Sequence, residues 1–141
     1  MPDSIKRPDP YSFREIPNLK SPVLNASGTR YIHHPAGLGE TRVTVPQGVR
    51  IIQDDAFRGC TALEEVSLPN TLERIEIGAF QNTGLKHITL PESIRYVSSY
   101  AFDQCQRLEQ ADIRCDSSWI EAHAFSECPR LRLSYDSPPN I

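Results

Sequence analysis

The segment FRGCTALEEVSLPNTLERIEIGAF, residues 57–80, holds one full copy of a pattern that recurs along the chain. Its Ala-Phe dipeptide occurs four times, at intervals of 23, 22 and 23 residues: Ala56-Phe57, Ala79-Phe80, Ala101-Phe102 and Ala124-Phe125. Four positions before each alanine stands a β-branched apolar residue: Ile52, Ile75, Val97 and Ile120. Because several columns keep the same register, the chain carries an internal repeat of about 23 residues.

A repeat of this length predicts a solenoid, because one copy cannot bury its apolar side chains alone whereas stacked copies share a core. The alternating residues of the phrase Leu63-x-x-Val66-x-Leu68-Pro69 indicate a short strand, and stacked copies would form a parallel sheet. A second, shorter strand is predicted around Ile52 and its equivalents, and a capped helical or 3₁₀ turn at each Ala-Phe. We therefore expect about four stacked turns, little regular helix, and four phenylalanines buried in one file: Phe57, Phe80, Phe102 and Phe125.

The segments FRGCTALEEVSLPNTLERIEIGAF and FDQCQRLEQADI, residues 57–80 and 102–113, resemble BspA-type leucine-rich repeats. The resemblance covers about residues 43–135 and implies a leucine-rich-repeat solenoid, curved, with a sheet on its concave side. It also implies binding of proteins or surfaces, with no catalytic residues and no cofactor. The chain departs from the family where a common glycine after the isoleucine is replaced: Gln53, Glu76, Ser98 and Glu121.

Proline marks off the beginning of the chain. Six of the 12 prolines fall within the first 35 residues, and each fixes φ and removes a backbone donor. The sequence therefore predicts an N-terminal extension over residues 1–40 that is irregular or partly extended and folds over the next segment or stays apart from it. The repeat domain is predicted over residues 41–141, with an atypical last turn where Arg114 replaces the proline and Ser117 replaces a branched apolar residue.

Length and charge exclude several classes of protein. The 141 residues suffice for one domain, and a formal net charge of -3 argues against a general nucleic-acid binder. No apolar run approaches the roughly 20 residues that a membrane-spanning helix needs, and no secretory signal is visible at the N-terminus. We expect a cytoplasmic protein if Met1 is the native start, and a cell-surface or secreted one if a signal peptide has been removed.

The cysteines and histidines are the candidates for chemistry. Cys60, Cys105 and Cys128 each stand three positions after a phenylalanine of the repeat, which predicts buried free thiols in one packing column. A disulfide between Cys105 and Cys128 on neighbouring turns is an alternative. No Cys-x-x-Cys pair or other metal-binding spacing occurs, so no metal is expected. His33-His34 is interpreted as a solvated loop, and no catalytic residue is predicted.

One outward column stands out on the second strand. The residue immediately before the inward isoleucine or valine is predicted to point to solvent in each repeat: Ile51, Arg74, Tyr96 and Trp119. Tryptophan, tyrosine and arginine are enriched at interaction hot spots, and Tyr96 is placed to stack on Trp119 or under Arg74. The column is predicted to engage a partner or a second copy, or to be covered by the N-terminal segment, or to remain simply exposed.

The predicted function is non-catalytic protein–protein interaction through a leucine-rich-repeat scaffold, with a protein partner of unknown identity. One alternative is an adhesion module on a microbial surface, since the family is common there. The other is a structural unit that self-assembles through the exposed strand edges at the solenoid ends.

Overall fold

The computed structural model describes residues 21–135, which form ten short strands and two 3₁₀ turns. The strands are β1 (Val23–Leu24), β2 (Arg30–His33), β3 (Arg42–Thr44), β4 (Ile51–Ile52), β5 (Glu65–Ser67), β6 (Arg74–Ile75), β7 (His87–Leu90), β8 (Tyr96–Val97), β9 (Gln110–Ile113) and β10 (Arg132–Tyr135). The 3₁₀ turns span Ala36–Leu38 and Ser117–Trp119.

The strands form two five-stranded sheets that lie on opposite sides of one core. Sheet A has the order β1-β2-β4-β6-β8, and sheet B has the order β10-β9-β7-β5-β3. Neighbouring strands pair in parallel with equivalent residues of the repeat opposite one another, as in Ile52↔Ile75 and Ile88↔Ala111, except that β1 is antiparallel to β2. The predicted leucine-rich-repeat solenoid with short parallel strands is confirmed, with five stacked strands in each sheet instead of about four turns.

The additional turn comes from the proline-rich region. β2 pairs with β4 in the register Tyr31↔Ile52, and Tyr31 is 2% exposed, so it occupies the inward position of the first turn. Residues 30–33 of the predicted irregular or partly extended segment are thus extended, and the inward side chain of Tyr31 and the edge of β4 favour a strand there. Residues 1–20 of the predicted extension lie outside the described residues, and the remaining division into 1–40 and 41–141 stays a prediction.

A file of stacked aromatic rings forms the centre of the core. Ring centroids of successive phenylalanines are 4.8, 5.1 and 5.0 Å apart along Phe57, Phe80, Phe102 and Phe125, and Tyr31 continues the file 4.9 Å from Phe57. The first three phenylalanines are fully buried, as predicted. Phe125 is only half-buried, because within the described residues the last turn has a neighbouring turn on one side only.

The Ala-Phe segments are turns with left-handed residues, which corrects the predicted helical or 3₁₀ turn. Bonds such as Ala56 N to Gln53 O and Arg58 N to Asp55 O span three residues, but a positive φ precedes each alanine and stops any helix from continuing. Those residues are Asp55, Gly78, Tyr100 and His123, and a second left-handed column is formed by Gly59, Asn82, Gln104 and Glu127. Two left-handed positions in each turn return the chain sharply to the next strand.

Candidate interaction face

The outward column predicted from the sequence lies along sheet A for three of its four members. Ile51, Arg74 and Tyr96 occupy equivalent positions of β4, β6 and β8, and each is paired with the next through the strand register. Their neighbours Ile52, Ile75 and Val97 are fully buried. Side chains alternate between the two faces of a strand, so the column faces away from the core.

Arg74 and Tyr96 make the closest contact within this column. The guanidinium carbon of Arg74 lies 4.5 Å from the centroid of the Tyr96 ring, which is a cation–π distance. Arg74 also donates from Nε to Oε2 of Glu76 at 2.8 Å. That hydrogen bond raises the pKa of Arg74 above its usual value, against a smaller opposing effect of burial. The arginine is thereby held over the tyrosine ring.

The column has a further member that the sequence analysis missed. Arg30 of β2 is paired with Ile51 and donates from Nη1 to Oε1 of Gln53 at 3.2 Å. Arg30 belongs to the first turn of the solenoid. The repeat did not predict this turn, because the segment around Arg30 contains no Ala-Phe dipeptide. Arg30 thus extends the outward column by one strand beyond Ile51.

Trp119 lies at the end of the column but not in a strand. Asp116 accepts a hydrogen bond from Ser118 N at 2.9 Å, which caps the 3₁₀ turn over Ser117–Trp119 and lowers the pKa of Asp116. Sheet A is reduced here to the single bridge Val97↔Ile120. The indole is 46% exposed and makes no ring contact with any described residue, so the predicted stacking of Tyr96 on Trp119 is not found.

A shallow polar groove runs beside the outward column, along the corners that precede the strands of sheet A. Arg50 pairs with Glu73 on the next turn at 3.1 Å, and Arg95 follows on the turn after that. Arg95 is exposed and forms no ion pair with the residues that the structure describes. On the floor of the groove, hydroxyls bond to the preceding turn: Thr71 Oγ1 to Val49 O at 2.8 Å and Ser93 Oγ to Leu72 O at 2.6 Å.

The exposed face of sheet B is polar and of mixed charge. Its two outward columns are Arg42, Glu65, His87, Gln110 and Thr44, Ser67, Thr89, Asp112. Arg42 lies 3.4 Å from Glu65, and Gln110 donates to Asp112 at 2.9 Å, so these side chains satisfy one another.

His33 and His34 are buried, which corrects the solvated loop predicted for them. The His34 ring stacks on Phe57 with centroids 5.0 Å apart, its Nε2 lies 2.8 Å from Glu40, and its Nδ1 lies 2.8 Å from the Tyr31 hydroxyl. A carboxylate only accepts, so Nε2 carries the proton and Nδ1 accepts from Tyr31. Burial lowers the pKa of His34, against the opposing effect of Glu40. This network closes the first turn of the solenoid.

The repeat cysteines line one side of the core. Cys60 and Cys105 are buried, whereas Cys128 in the last turn is half-buried, so the prediction of a buried thiol is confirmed for the first two only. The thiols of Cys105 and Cys128 each donate to a phenylalanine carbonyl of the preceding turn, Phe80 O and Phe102 O, at 3.1 Å. Among residues 21–135, no three histidine, cysteine or acidic side chains are grouped as metal ligands would be.

The register, the two parallel sheets and the ring file agree with a known repeat family. The model of the BspA type leucine rich repeat region matches residues 39–138 in 6 copies, and the chain belongs to this family. No curated protein matches the chain significantly in sequence. In the part of the chain that the structure describes, no helix has the length and apolar character needed to cross a membrane.

Solved structures of leucine-rich-repeat proteins share the fold. A leucine rich cell surface protein from Faecalibacterium prausnitzii A2-165 is similar with a TM-score of 0.61 at 24% identity, over 78% of this chain and 36% of that one. A leucine-rich-repeat protein from Eubacterium ventriosum ATCC 27560 gives 0.64 at 18%, over 85% and 41%. The pneumococcal vaccine antigen PcpA gives 0.55 at 19%, over 79% and 35%. This chain thus spans less than half the length of each.

Proposed function

We propose that the chain is a non-catalytic protein-interaction scaffold and that its partner binds the outward column of sheet A. The observation that carries the proposal is the contact between Arg74 and Tyr96 on neighbouring turns, continued by the exposed Trp119. These residue types supply large contact areas and dominate the binding energy of many interfaces. The solenoid holds Arg74 and Tyr96 on paired strands, so little conformational entropy is lost there when a partner binds.

The charges beside the column favour a partner with acidic groups. Arg95 is unpaired among the described residues, and Arg30 is bonded only to the neutral amide of Gln53. The whole chain is by contrast acidic, with a formal net charge of -3. A local cationic edge on an acidic protein steers acidic partners toward this face and repels them elsewhere.

A place on a microbial surface is supported by the family and by one structural relative. BspA-type repeats match most of the chain, and the Faecalibacterium relative is described as a cell surface protein. We propose adhesion to a host or neighbouring-cell protein as the form that the interaction takes there. Labelling of intact cells of the source organism with a membrane-impermeant reagent tests the location, and recovery only after lysis contradicts it.

Selection from a random-peptide display library tests the interaction face. The wild-type protein should enrich acidic peptides, and the Tyr96→Ser/Trp119→Ser double variant should lose this enrichment while keeping its folded circular dichroism spectrum. Ile77→Ser is the matched control, because Ile77 is 55% exposed but lies outside the outward column. Enrichment that survives in the double variant, or is lost equally in the control, contradicts the proposed site.

Self-assembly is a second candidate, favoured by the β10 edge of sheet B, which pairs with no further strand among residues 21–135. β10 pairs with β9 on one side, and Leu133 within it is 46% exposed. An unpaired parallel edge is a template for another strand. Sedimentation of the wild-type chain decides between the candidates: a concentration-dependent oligomer that Leu133→Lys abolishes supports assembly through this edge, and a monomer at all concentrations excludes it.

A further inference from the structure

The cysteine column brings two thiols together on the last two turns of the solenoid. Cys105 and Cys128 occupy equivalent positions of the repeat, three residues after Phe102 and Phe125. The turns are locked in register by Phe102 N to Ala124 O at 2.8 Å and Gln104 N to Ser126 O at 2.9 Å. Stacked parallel segments are about 4.7–4.9 Å apart. That spacing lies within the 4.4–6.8 Å range of Cα separations that disulfides span.

Another pair in the same column shows that such side chains touch. Thr83 takes the cysteine position one turn before Cys105, and its Oγ1 lies 3.3 Å from Cys105 Sγ. Side chains of this column therefore reach one another across adjacent turns. Both thiols are free in this structure, and each donates to the phenylalanine carbonyl of the turn before it. A thiol is a weak donor, so little stabilisation is lost when these hydrogen bonds are given up.

We propose that Cys105 and Cys128 are a specific site of oxidative modification, at which a disulfide or thiol oxidant joins the last two turns by an intramolecular disulfide. The inference does not depend on the proposed function. It does concern the same turns, because Tyr96 and Trp119 of the outward column belong to the turns that contain Cys105 and Cys128. The cross-link would fix these two aromatic residues relative to each other.

Oxidised glutathione illustrates how the reaction proceeds. Cys128 is the more exposed thiol, and its thiolate attacks one sulfur of oxidised glutathione, which releases one glutathione and leaves a mixed disulfide. The Cys105 thiolate then attacks the Cys128 sulfur and displaces the second glutathione. The protein loses two protons and two electrons, and both electrons reduce the glutathione disulfide. In the reduced pair the hydrogen bond between the two thiols lowers the pKa of Cys105 and raises that of Cys128. Cys128 therefore attacks as its proton passes to Cys105, and the released glutathione thiolate takes that proton from Cys105 before the second step.

The other two cysteines are internal controls. Cys60 lies in the same column, but its neighbour on the next turn is Thr83, which cannot form a disulfide. Cys60 is also buried, unlike the half-buried Cys128, so a molecule of the size of oxidised glutathione does not reach its sulfur. Cys115 lies outside the column, just after β9, and burial raises its pKa. Oxidation should therefore leave both of these thiols unmodified.

Peptide mapping of the full reduced chain after treatment with oxidised glutathione tests the proposal. Free thiols are alkylated, and digestion with trypsin and Glu-C separates the cysteines by cutting after Arg107, Arg114, Glu121 and Glu127. We expect one linked pair, Cys105 with Cys128, that lacks two hydrogens, while Cys60 and Cys115 are alkylated. The link should persist in the Cys60→Ser and Cys115→Ser variants. It should be absent from Cys128→Ser, because that variant lacks the thiol that first reacts with oxidised glutathione.

Three results would overturn the proposal. The first is full alkylation of Cys105 and Cys128 after oxidation, and the second is glutathione retained on Cys128. The third is a link to another cysteine or between two chains, which mixing isotopically labelled with unlabelled protein detects. The wild-type map is decisive by itself, so a serine variant that fails to fold does not leave the question open.

Discussion

At the scale of single residues, each repeated turn imposes a left-handed backbone conformation at the same position, whether or not that position holds glycine. Gly59, Asn82, Gln104 and Glu127 share a left-handed conformation with φ between 57 and 78°. Three of these four are not glycine, so the turn imposes the conformation even where the side chain disfavours it. Such a residue costs roughly 1–2 kcal/mol relative to glycine. At Gly78, which also has a positive φ, an added Cβ would in addition displace the Asp55 carboxylate.

Replacement of Gly59 by alanine tests this account. Gly59 has φ +78° and open space around it, so the Gly59→Ala substitution acts through the backbone alone. We expect it to lower the free energy of unfolding by about 1 kcal/mol, measured by urea denaturation. Gly37→Ala is the control, because Gly37 also has open space but no positive φ, and it should be neutral or slightly stabilising. Equal losses in the two variants would contradict the left-handed requirement.

The buried His34 predicts a dependence of stability on pH. Its pKa is lowered in the folded protein, so between the unfolded value of about 6.5 and the folded value the unfolded chain binds more protons. The stabilisation is therefore present above pH 6.5 and is lost as the pH falls through the folded pKa. The slope is at most about 1.4 kcal/mol per pH unit. Glu40 opposes the shift, and neutral Tyr31 must give up its hydrogen bond to Nδ1 when that nitrogen gains a proton.

Unfolding free energies of the wild type and His34→Gln between pH 7.5 and 5 measure this effect. Glutamine is uncharged and can both donate to Glu40 and accept from Tyr31, so the variant should show a flatter pH dependence. His33→Gln serves as the comparison for the neighbouring buried imidazole. If wild type and His34→Gln lose stability in parallel, His34 is not the titrating group.

At the scale of structural elements, the ring file predicts an unequal cost of removing phenylalanines. Phe102 is fully buried between Phe80 and Phe125, whereas Phe125 is half-buried with one ring neighbour. We expect Phe102→Ala to cost roughly 3–5 kcal/mol and Phe125→Ala less than about 2 kcal/mol. Phe102→Leu, which keeps most of the volume, should cost less than about 1.5 kcal/mol and remains measurable if the alanine variant unfolds. Equal costs at the two alanine sites in urea denaturation would rule out a file that ends at Phe125.

The repeated turns could be predicted from the sequence because each copy fills the same columns. Ile52, Ile75 and Val97 fixed the short strands and hence the outward position of Tyr96. The first turn could not be predicted from the repeat, because side chains of other types can fill the same inward positions of a stacked turn. Tyr31 takes the inward position there, and the His34 ring occupies the end of the aromatic stack instead of a phenylalanine.

Trp119 and Arg95 show that the repeat predicts the position of a side chain but not its local conformation or its partner. Alternation predicted a strand for Trp119, but the capping carboxylate of Asp116 stabilises a 3₁₀ turn in which local hydrogen bonds replace the ladder. Arg95 could have been found from the sequence, since Arg50, Glu73 and Arg95 share one repeat position. The choice of ion pair could not be predicted, because the backbone of Glu73 bonds to Arg95 whereas its carboxylate pairs with Arg50.

At the scale of the whole molecule, the two ends of the described solenoid differ. At the N-terminal end, antiparallel β1 covers the edge of sheet A, and Tyr31 and His34 cover the ring of Phe57. At the other end, β10 has one strand neighbour, Leu133 is 46% exposed, and Phe125 is half-buried. In a stack where each turn contacts only its neighbours, the turn with fewer contacts opens first.

Hydrogen exchange followed by mass spectrometry should show this asymmetry in the full chain. We expect amides of β10 and of the Phe125 turn to exchange at least tenfold faster than those of β5 and β7, because their opening breaks contacts with one neighbouring turn instead of two. Amides of β2 should be protected more strongly than those of β10, since β2 lies between β1 and β4. Uniform protection from β2 to β10 would mean that the solenoid opens as a single unit, and faster exchange at β2 would show that its N-terminal turn is not closed by Tyr31 and His34.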